Sequence, residues 1–319
     1  MSAANDQLVE ELRPRAFAIA YRMLGSVAEA EDVVQEALLR VHNALEAGEQ
    51  IDSPRAYVAT ITTRLAIDEL RSARVRRETY VGEWLPEPLV VDDREEPARQ
   101  AEMADSLSLA FLVLLENLSP EQRAALLLHD VFDYDYDEIA QIIGKSEDNA
   151  RQLAVRARRH VDQGKPRFEA SKEKREELAG RFFAAAEEGE MDALEALLSE
   201  DVVLKGDGGG KAPALAHSLH GRQRVARTIG AWAKTGWLLP GLTIRSVEVN
   251  GQPGALFLDG DGAVISAMEL DIAEGQIQGI NSVVNQDKLG HLGRVADAWA
   301  LLDQLKDQKR QERRPGLSR

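Results

Sequence analysis

The side chains best suited to contacting a polar polymer lie in two short helical patterns joined by a glycine. Residues 136–161 read YDEIAQIIGKSEDNARQLAVRARRHV. Gly144 can end the first helix, and Ser146 can cap a second helix whose first turn bears Glu147 and Asp148, as the helix dipole favours. This spacing predicts a helix-turn-helix.

The predicted second helix has an apolar side and a polar side. The apolar stripe consists of Ala150, Leu153, Ala154, Ala157 and Val161. The polar side consists of Asn149, Gln152, Arg156 and Arg159. Amide groups near a helix N-terminus, followed by guanidinium groups, suit the base edges and phosphates of DNA. A solvated helix face is the alternative interpretation of the same spacing.

Two earlier helical patterns carry further polar groups. Residues 29–42, EAEDVVQEALLRVH, predict an amphipathic helix that Ser26 can cap. The polar side of that helix carries Glu29, Asp32, Gln35 and Glu36. Taken alone, this pattern is typical of a solvated acidic face.

After a loop at residues 46–53, Pro54 can begin a third helix that bears Tyr57. Its small hydroxyl residues are Thr60, Thr62 and Thr63. Its basic end consists of Arg71, Arg74, Arg76 and Arg77. An aromatic ring, hydroxyl groups and cations in that order suit a flipped base followed by backbone phosphates.

These motifs together carry a family resemblance. Residues 8–80 and 104–162 resemble the two helical domains, regions two and four, of the extracytoplasmic-function sigma factors, which are bacterial transcription initiation factors. AEDVVQEALLRVH resembles the polymerase-binding helix of region two, and SPRAYVATITTRLAIDELR resembles its helix that recognises the −10 element. LSPEQRAALLLHDVFDYDYDEIAQIIGKSEDNARQLAVRARR resembles the −35-reading helix-turn-helix of region four.

The resemblance implies roles for individual residues, transferred position by position. The residues facing the β′ clamp of core RNA polymerase would be Asp32, Gln35, Glu36, Leu39 and Arg40. Those near the extruded −10 base would be Asp52, Ser53, Arg55, Tyr57 and Thr60. Those near the −10 phosphates would be Arg64, Arg71 and Arg74. Those entering the −35 major groove would be Asn149, Arg151, Gln152, Arg156 and Arg159.

Three further motifs resemble those of the sigma-J-type group, whose members carry a SnoaL-like C-terminal extension. They are Trp84-Leu85-Pro86-Glu87-Pro88, Asp207-Gly208-Gly209-Gly210-Lys211 and Asn285-Gln286-Asp287-Lys288-Leu289. The last motif departs from the usual pattern, which has proline at position 286. The resemblance implies that such an extension contacts regions two and four and regulates polymerase binding in cis. The expected partners are therefore core RNA polymerase, through its β′ clamp and β flap, and promoter DNA, with no separate anti-sigma factor. By the same resemblance, the promoters would read near TGTCACA and CGTC.

Composition limits the remaining possibilities. The 319 residues carry a net charge of −15, which argues against nonspecific coating of nucleic acid, although the segment 151–167 is locally basic. The absence of cysteine excludes disulfides, thiolate metal sites and a cysteine nucleophile. No apolar run is long enough to span a membrane, and the start lacks the apolar core of a signal peptide, so we expect a cytoplasmic protein. We expect neither a metal nor a cofactor, because no His and carboxylate cluster has metal-ligand spacing.

The predicted fold class is multidomain: two all-α sigma domains followed by an α+β, SnoaL-like cone. The predicted boundaries are region two at 1–80, an acidic linker at 81–103, region four at 104–168, the cone at 169–294, and a C-terminal helix with a basic tail at 295–319. Within the cone, strand-like runs at 243–249, 255–258, 264–271 and 277–284 predict an antiparallel meander. The C-terminal helix could pack on another domain or fray at its end.

The third domain allows a second interpretation, an enzyme of the cyclase or isomerase type fused to a DNA-binding module. Its acid and base candidates are Asp207, His217, His220 and Asp271, with Lys211 as an electrophile. The alternative is that Asp207 and Lys211 only stabilise a glycine turn or a domain contact. A third interpretation, a helix-turn-helix regulator that never binds polymerase, has no use for the helix at 29–42. We expect Trp84 and Leu85, as exposed apolar anchors on the linker, to dock on the turn at 207–211.

Overall fold

A computed structural model describes residues 3–77, 79–91, 108–162, 171–236, 239 and 241–312. The greater part of the predicted linker, the predicted boundary around 163–168 and the basic end at 313–319 lie outside these residues. No helix in the described ranges is long and apolar enough to cross a membrane.

Three helices form the N-terminal part of the chain: α1 (Ala3–Leu24), α2 (Val27–Glu46) and α3 (Pro54–Arg77). Ser26 caps α2 by accepting the amide of Glu29 at 3.2 Å, as its position before the amphipathic pattern predicts. The buried side of α2 includes Val33, Val34 and Val41. This leaves the opposite side of α2 exposed.

Four helices follow the segment outside the described residues: α4 (Leu109–Leu115), α5 (Pro120–Asp130), α6 (Tyr136–Ile143) and α7 (Glu147–Asp162). Gly144 ends α6 at a positive φ of 66°, a conformation that glycine adopts without steric cost. In α7 the buried residues are Ala150, Ala154, Ala157 and Val161. The predicted helix-turn-helix is therefore present, with its apolar stripe facing inward.

The C-terminal part of the chain combines helices with one curved sheet. The helices are α8 (Lys172–Glu188), α9 (Met191–Leu197), α10 (Arg222–Gly236) and α11 (Ala298–Glu312). The strands are β1 (Val90–Val91), β2 (Leu198–Asp207), β3 (Leu219–His220), β4 (Thr243–Val249), β5 (Gln252–Leu258), β6 (Val264–Ala273) and β7 (Gln276–Val283). Two 3₁₀ turns, Gln286–Lys288 and Gly290–Leu292, join β7 to α11.

The strand order is β1-β4-β5-β6-β7-β2-β3. β4 to β7 form the predicted antiparallel meander, whereas β2 lies parallel to β7. The predicted strand-like runs do not include β2, because a strand with partners on both sides and a bulge after Leu198 has no clean alternation.

The contacts divide the chain into two compact units. The first contains α1–α3, most of α4 and α5–α7. The second contains residues 80–91, the first residues of α4 and the described chain from residue 171 onward. The described part of the predicted linker, 81–91, is thus built into the cone: β1 pairs with β4 and forms the edge of its sheet.

Candidate functional site

The predicted polymerase-binding residues form one exposed stripe on α2. Asp32, Gln35, Leu39 and Arg40 are exposed, and Glu36 is half-buried. Leu39 is 52% exposed and is one of five exposed large hydrophobic side chains among the described residues. Arg40 donates to Glu36 at 2.7 Å, so the stripe presents an apolar centre bordered by a fixed ion pair. Such a surface is suited to docking on another protein.

The predicted −10 residues lie at the start of α3. Ser53 accepts the amide of Ala56 at 3.3 Å and thereby caps the helix. Asp52 and Arg55 are exposed, whereas Tyr57 and Thr60 are half-buried, and the Thr60 hydroxyl donates to a backbone carbonyl one turn earlier. Arg55, Tyr57 and Thr60 all lie within the first two turns of α3.

Two other threonines of this helix do not belong to that surface. Thr62 and Thr63 are fully buried, so the interpretation that all the hydroxyl residues face a base was wrong for this pair. Arg74 lies in α3, but its side chain is outside what the structure describes.

The basic side chains of α3 contact the helices of the predicted region four. Arg64 donates to the backbone carbonyls of Gln141 and Ile142 at 2.8 and 2.9 Å. Arg71 pairs with Asp68 at 2.9 Å and with Glu121 at 2.7 Å. Two cations predicted to meet DNA phosphates are therefore engaged within the first unit.

The predicted −35 residues are all exposed on α7: Asn149, Arg151, Gln152, Arg156 and Arg159. Arg151 pairs with Glu147 at 2.9 Å and lies over the ring of Tyr136. Their neighbour Arg158 is different, because it binds both carboxylate oxygens of Asp130 and fixes α7 to α5. Helix α7 therefore carries an exposed polar surface and, beside it, one arginine that holds the helix to α5.

The three motifs that resemble those of the sigma-J-type group meet in one buried network. We name residues 80–91 the strap, because they cross the cone as an extended segment. Asp207 accepts the Tyr80 hydroxyl at 2.5 Å, the Leu85 amide at 2.8 Å and the Lys288 ammonium at 2.7 Å. Lys288 also donates to the Leu85 carbonyl at 2.5 Å, and Asn285 donates to the Tyr80 hydroxyl at 2.8 Å. Asp207 is fully buried.

Aromatic rings complete this network. The Lys288 ammonium lies 4.3 Å from the Trp84 ring centroid and 4.9 Å from that of Tyr80, distances typical of cation–π contacts. Burial and the hydrogen bond to Asp207 raise the pKa of Tyr80 well above its ordinary value. The apolar anchors expected to be exposed are instead enclosed, since Leu85 is buried and Trp84 is half-buried.

The glycine turn makes room for the strap. A Cβ atom on Gly209 would lie 2.3 Å from the Asn285 amide nitrogen, and one on Gly210 would lie 3.2 Å from Val81. Both glycines also have positive φ. The turn thus receives the strap, as expected, but Lys211 points outward and pairs with Asp287 at 2.5 Å.

Gln286 is compatible with the turn at which the resembled motif has proline. Asn285 caps this 3₁₀ turn, and Gln286 occupies its first position. Proline is favoured at such a position because its fixed φ is already helical. The glutamine side chain donates to the carbonyl of Ala296 at 3.2 Å, a contact that proline could not make.

The sequence pattern did not single out Glu269, which is a second buried carboxyl group of the cone. Glu269 on β6 is fully buried and accepts the Leu109 amide at 2.9 Å and the Asn281 side-chain amide at 2.6 Å. Burial raises its pKa to about 8. The alternation of VISAMELDIA places Glu269 on the same strand face as Asp271, opposite the core residues Met268 and Leu270, so the sequence pattern gave no signal for its burial.

The acid and base candidates of the enzyme interpretation do not converge. Asp207 is hydrogen-bonded within the strap network, and Lys211 pairs with Asp287 at the surface. His217 and His220 are exposed. Asp271 is half-buried on β6. None of the five lines the main cavity of the cone. Among the described residues, no cluster of His, Asp and Glu could hold a metal ion.

Comparison with known proteins agrees with this arrangement. The Sigma-70 region 2 model matches residues 8–76, and the Sigma-70 region 4 model matches residues 108–161. The ECF RNA polymerase sigma factor SigJ of Mycobacterium tuberculosis is 38% identical over 290 residues, which cover 88% of this chain and 91% of the relative. The chain is an extracytoplasmic-function sigma factor.

Two further comparisons extend over the same length. The probable ECF sigma factor SigI of M. tuberculosis is 30% identical to this sigma factor over 280 residues, covering 86% of this chain and 91% of the relative. The crystal structure of M. tuberculosis SigJ superposes with a TM-score of 0.72 at 35% identity, covering 88% of this chain and 96% of that one. The predicted fold class, two helical sigma domains and an α+β domain, is thereby confirmed.

The family assigns the overall activity. As a sigma factor, the protein binds core RNA polymerase and promoter DNA and is a transcription initiation factor, not an enzyme. The prediction of an initiation factor is confirmed, and the interpretation as a cyclase or isomerase fusion is not needed.

Proposed function

We propose that the cone regulates initiation in cis through the strap, in place of a separate anti-sigma factor. The observation that supports this proposal is the buried pairing of Asp207 and Lys288 around the Leu85 peptide group. A buried ion pair is weak evidence for added stability, but it favours one geometry strongly, since breaking it strands a charge. The strap is therefore suited to being either fully docked or fully released.

The strap is covalently close to region two. Helix α3 ends at Arg77 and the strap begins at Tyr80, so release or docking of the strap acts directly on the chain that leaves the −10-reading helix. A covalently attached partner also has a high effective concentration, so a modest docking energy is sufficient for regulation.

The contacts that we propose with polymerase and with DNA are assigned to exposed surfaces of the first unit. The polymerase clamp would bind the α2 stripe, with Leu39 at its centre. The −10 strand would bind the start of α3 and then Arg64, Arg71 and Arg74. The −35 major groove would receive α7, with region four also meeting the β flap. We place this activity in the cytoplasm, where core polymerase works.

Run-off transcription tests the cis regulation. The template carries a TGTCACA and CGTC promoter, and bacterial core RNA polymerase is combined with the full chain or with Lys288→Met. We expect Lys288→Met to change the initiation yield at least threefold, because the strap loses its ammonium donor. The matched control Lys211→Met removes an exposed lysine of the same neighbourhood and should leave the yield unchanged.

Limited proteolysis reports on the strap in the same samples. Faster cleavage within residues 80–91 of Lys288→Met would demonstrate release. Equal run-off yields from the parent and from a variant whose strap is released would contradict regulation through the strap. The sign of a changed yield distinguishes an inhibitory cone from an activating one.

A further inference from the structure

The cone encloses a cavity of about 430 Å³ that the sigma-factor activity does not use. Helices α8, α10 and α11 and strands β4 to β7 contribute to its wall. The largest lining side chains are Phe182, Phe183, Trp232, Phe257, Met268 and Leu305. No charged or histidine side chain is among the described residues that line it. A charged ligand would therefore lose its hydration without compensation.

Two serines supply a polar spot on this apolar wall. Ser266 on β6 and Ser282 on β7 are 8% and 4% exposed, and both line the cavity. Ser282 is the register partner of Met268, and Ser266 lies two residues from Met268 on the same face of β6, so the two serines are diagonal neighbours. Within the described residues, neither hydroxyl makes a hydrogen bond.

Buried hydroxyl groups are normally hydrogen-bonded, because an unpaired one loses its contacts with water. Two adjacent hydroxyls without a protein partner on one wall are suited to a ligand oxygen, which can accept from both or donate to one. The aromatic walls favour a flat ring system, and the volume lies within the usual range for small-molecule sites.

We propose that this cavity binds an uncharged aromatic or alicyclic compound that places a ketone or hydroxyl oxygen between Ser266 and Ser282. The site goes beyond the initiation activity and does not depend on the strap. Ala298, Leu301, Leu302 and Leu305 of α11 form part of the wall, so an occupant contacts the C-terminal helix directly. Binding would stabilise the packing of α11 on the cone.

The test uses prodan, an uncharged fluorescent naphthyl ketone, with the full-length protein. We expect saturable binding at one site per chain, with a blue-shifted emission. Ser266→Ala with Ser282→Ala should weaken binding about tenfold, the effect expected for losing one to two neutral hydrogen bonds. Ser246→Ala, an exposed serine on β4 outside the cavity, is the matched control and should bind normally.

Two further measurements distinguish binding in the cavity from nonspecific binding. Ala186→Phe fills the cavity from α8 and should abolish binding, and the naphthoate analogue of prodan, which is charged, should fail to compete. Thermal unfolding shows that each variant is folded. Absence of prodan binding, or binding unaffected by both the serine and the Ala186 substitutions, would overturn the proposal. Neither result bears on the transcription test of the strap.

Discussion

At the scale of single residues, Asp207 determines how the strap is held. Its carboxylate receives a hydroxyl, a backbone amide and an ammonium group, so both carboxylate oxygens are hydrogen-bonded. Tyr80 and Leu85 lie on the strap, Lys288 follows β7, and Asp207 itself is at the end of β2. One buried carboxylate therefore joins three segments that are distant in sequence.

Replacing Asp207 by Asn tests that role. The asparagine is nearly isosteric, but it leaves the Lys288 ammonium without its counter-charge inside the cone. We expect the unfolding free energy to fall by about 3–5 kcal/mol, the range for breaking a buried ion pair. Urea denaturation measures the change. Asp287→Asn, which breaks the exposed pair with Lys211, is the matched control and should cost less than about 1 kcal/mol.

Glu269 predicts a pH dependence of stability. Its pKa is raised by burial from 4.5 to about 8, so the folded protein binds a proton that the unfolded chain has released between these values. The unfolding free energy should therefore decrease as pH rises from about 4.5 to about 8, by no more than about 1.4 kcal/mol per pH unit from this group.

Glu269→Gln is the matching variant for this prediction. Glutamine keeps an acceptor for the Leu109 amide but does not titrate, so the decrease with pH should be smaller than in the parent. Urea denaturation at several pH values from 5 to 9 gives the comparison. Identical pH profiles for the two proteins would show that Glu269 does not titrate in this interval.

At the scale of secondary-structure elements, α7 divides two kinds of arginine. Arg156 and Arg159 are exposed on the side predicted to meet DNA, whereas Arg158 is held by Asp130 of α5. The arrangement follows from helix geometry, because residues one position apart point about 100° away from each other. In the sequence these arginines carry the same charge, and nothing local to them predicted that Arg158 would pair with Asp130.

The two kinds should respond differently to substitution. We expect Gln152→Ala to weaken binding to a specific −35 duplex by about 1–3 kcal/mol, without changing stability, because an amide can contact a base edge in the major groove. Arg158→Ala should instead lower the melting temperature, since Asp130 loses its bidentate partner. Fluorescence anisotropy and thermal unfolding of both variants separate the effects; a stability loss in Gln152→Ala would contradict the assignment of that side chain to the surface.

At the scale of the whole molecule, some side chains with a proposed function already bond to other residues of their own compact unit. In the first unit, α3 directs Arg64 to the end of α6 and Arg71 to Glu121 of α5. The same arginines are proposed to meet the −10 phosphates. Contact with DNA at these positions would therefore compete with the bonds that Arg64 and Arg71 make to α6 and α5.

Glu121→Gln tests this competition. The substitution removes the charge that draws Arg71 toward α5, so we expect binding of a single-stranded −10 oligonucleotide to strengthen by up to about fivefold, the effect of one partly exposed ion pair. Asp68→Asn is the matched control, because Asp68 lies on α3 itself and does not connect the helices. Anisotropy titrations at low and moderate salt measure both. Equal affinities for Glu121→Gln and Asp68→Asn would contradict the competition.

Local sequence signals determined much of this protein. The cap at Ser26, the end of α6 at Gly144 and the inward stripe of α7 each depend on residues within a few positions, and each was predicted from its spacing. The stretches read as strands at 243–249 and 264–271 also lie within strands of the structure, because their alternation and flanking turns are local.

Tertiary structure alone decided how the distant segments are used. The strap carries prolines and acids without any period, and long-range contacts such as its pairing with β4 and with Asp207 make it part of the cone. The parallel strand β2, the burial of Thr62 and Thr63 and the burial of Glu269 likewise depend on partners far away in the chain. Periodicity reports which face of an element is apolar, but not which element will cover it, and that choice gives this protein its strap, its buried charges and its cavity.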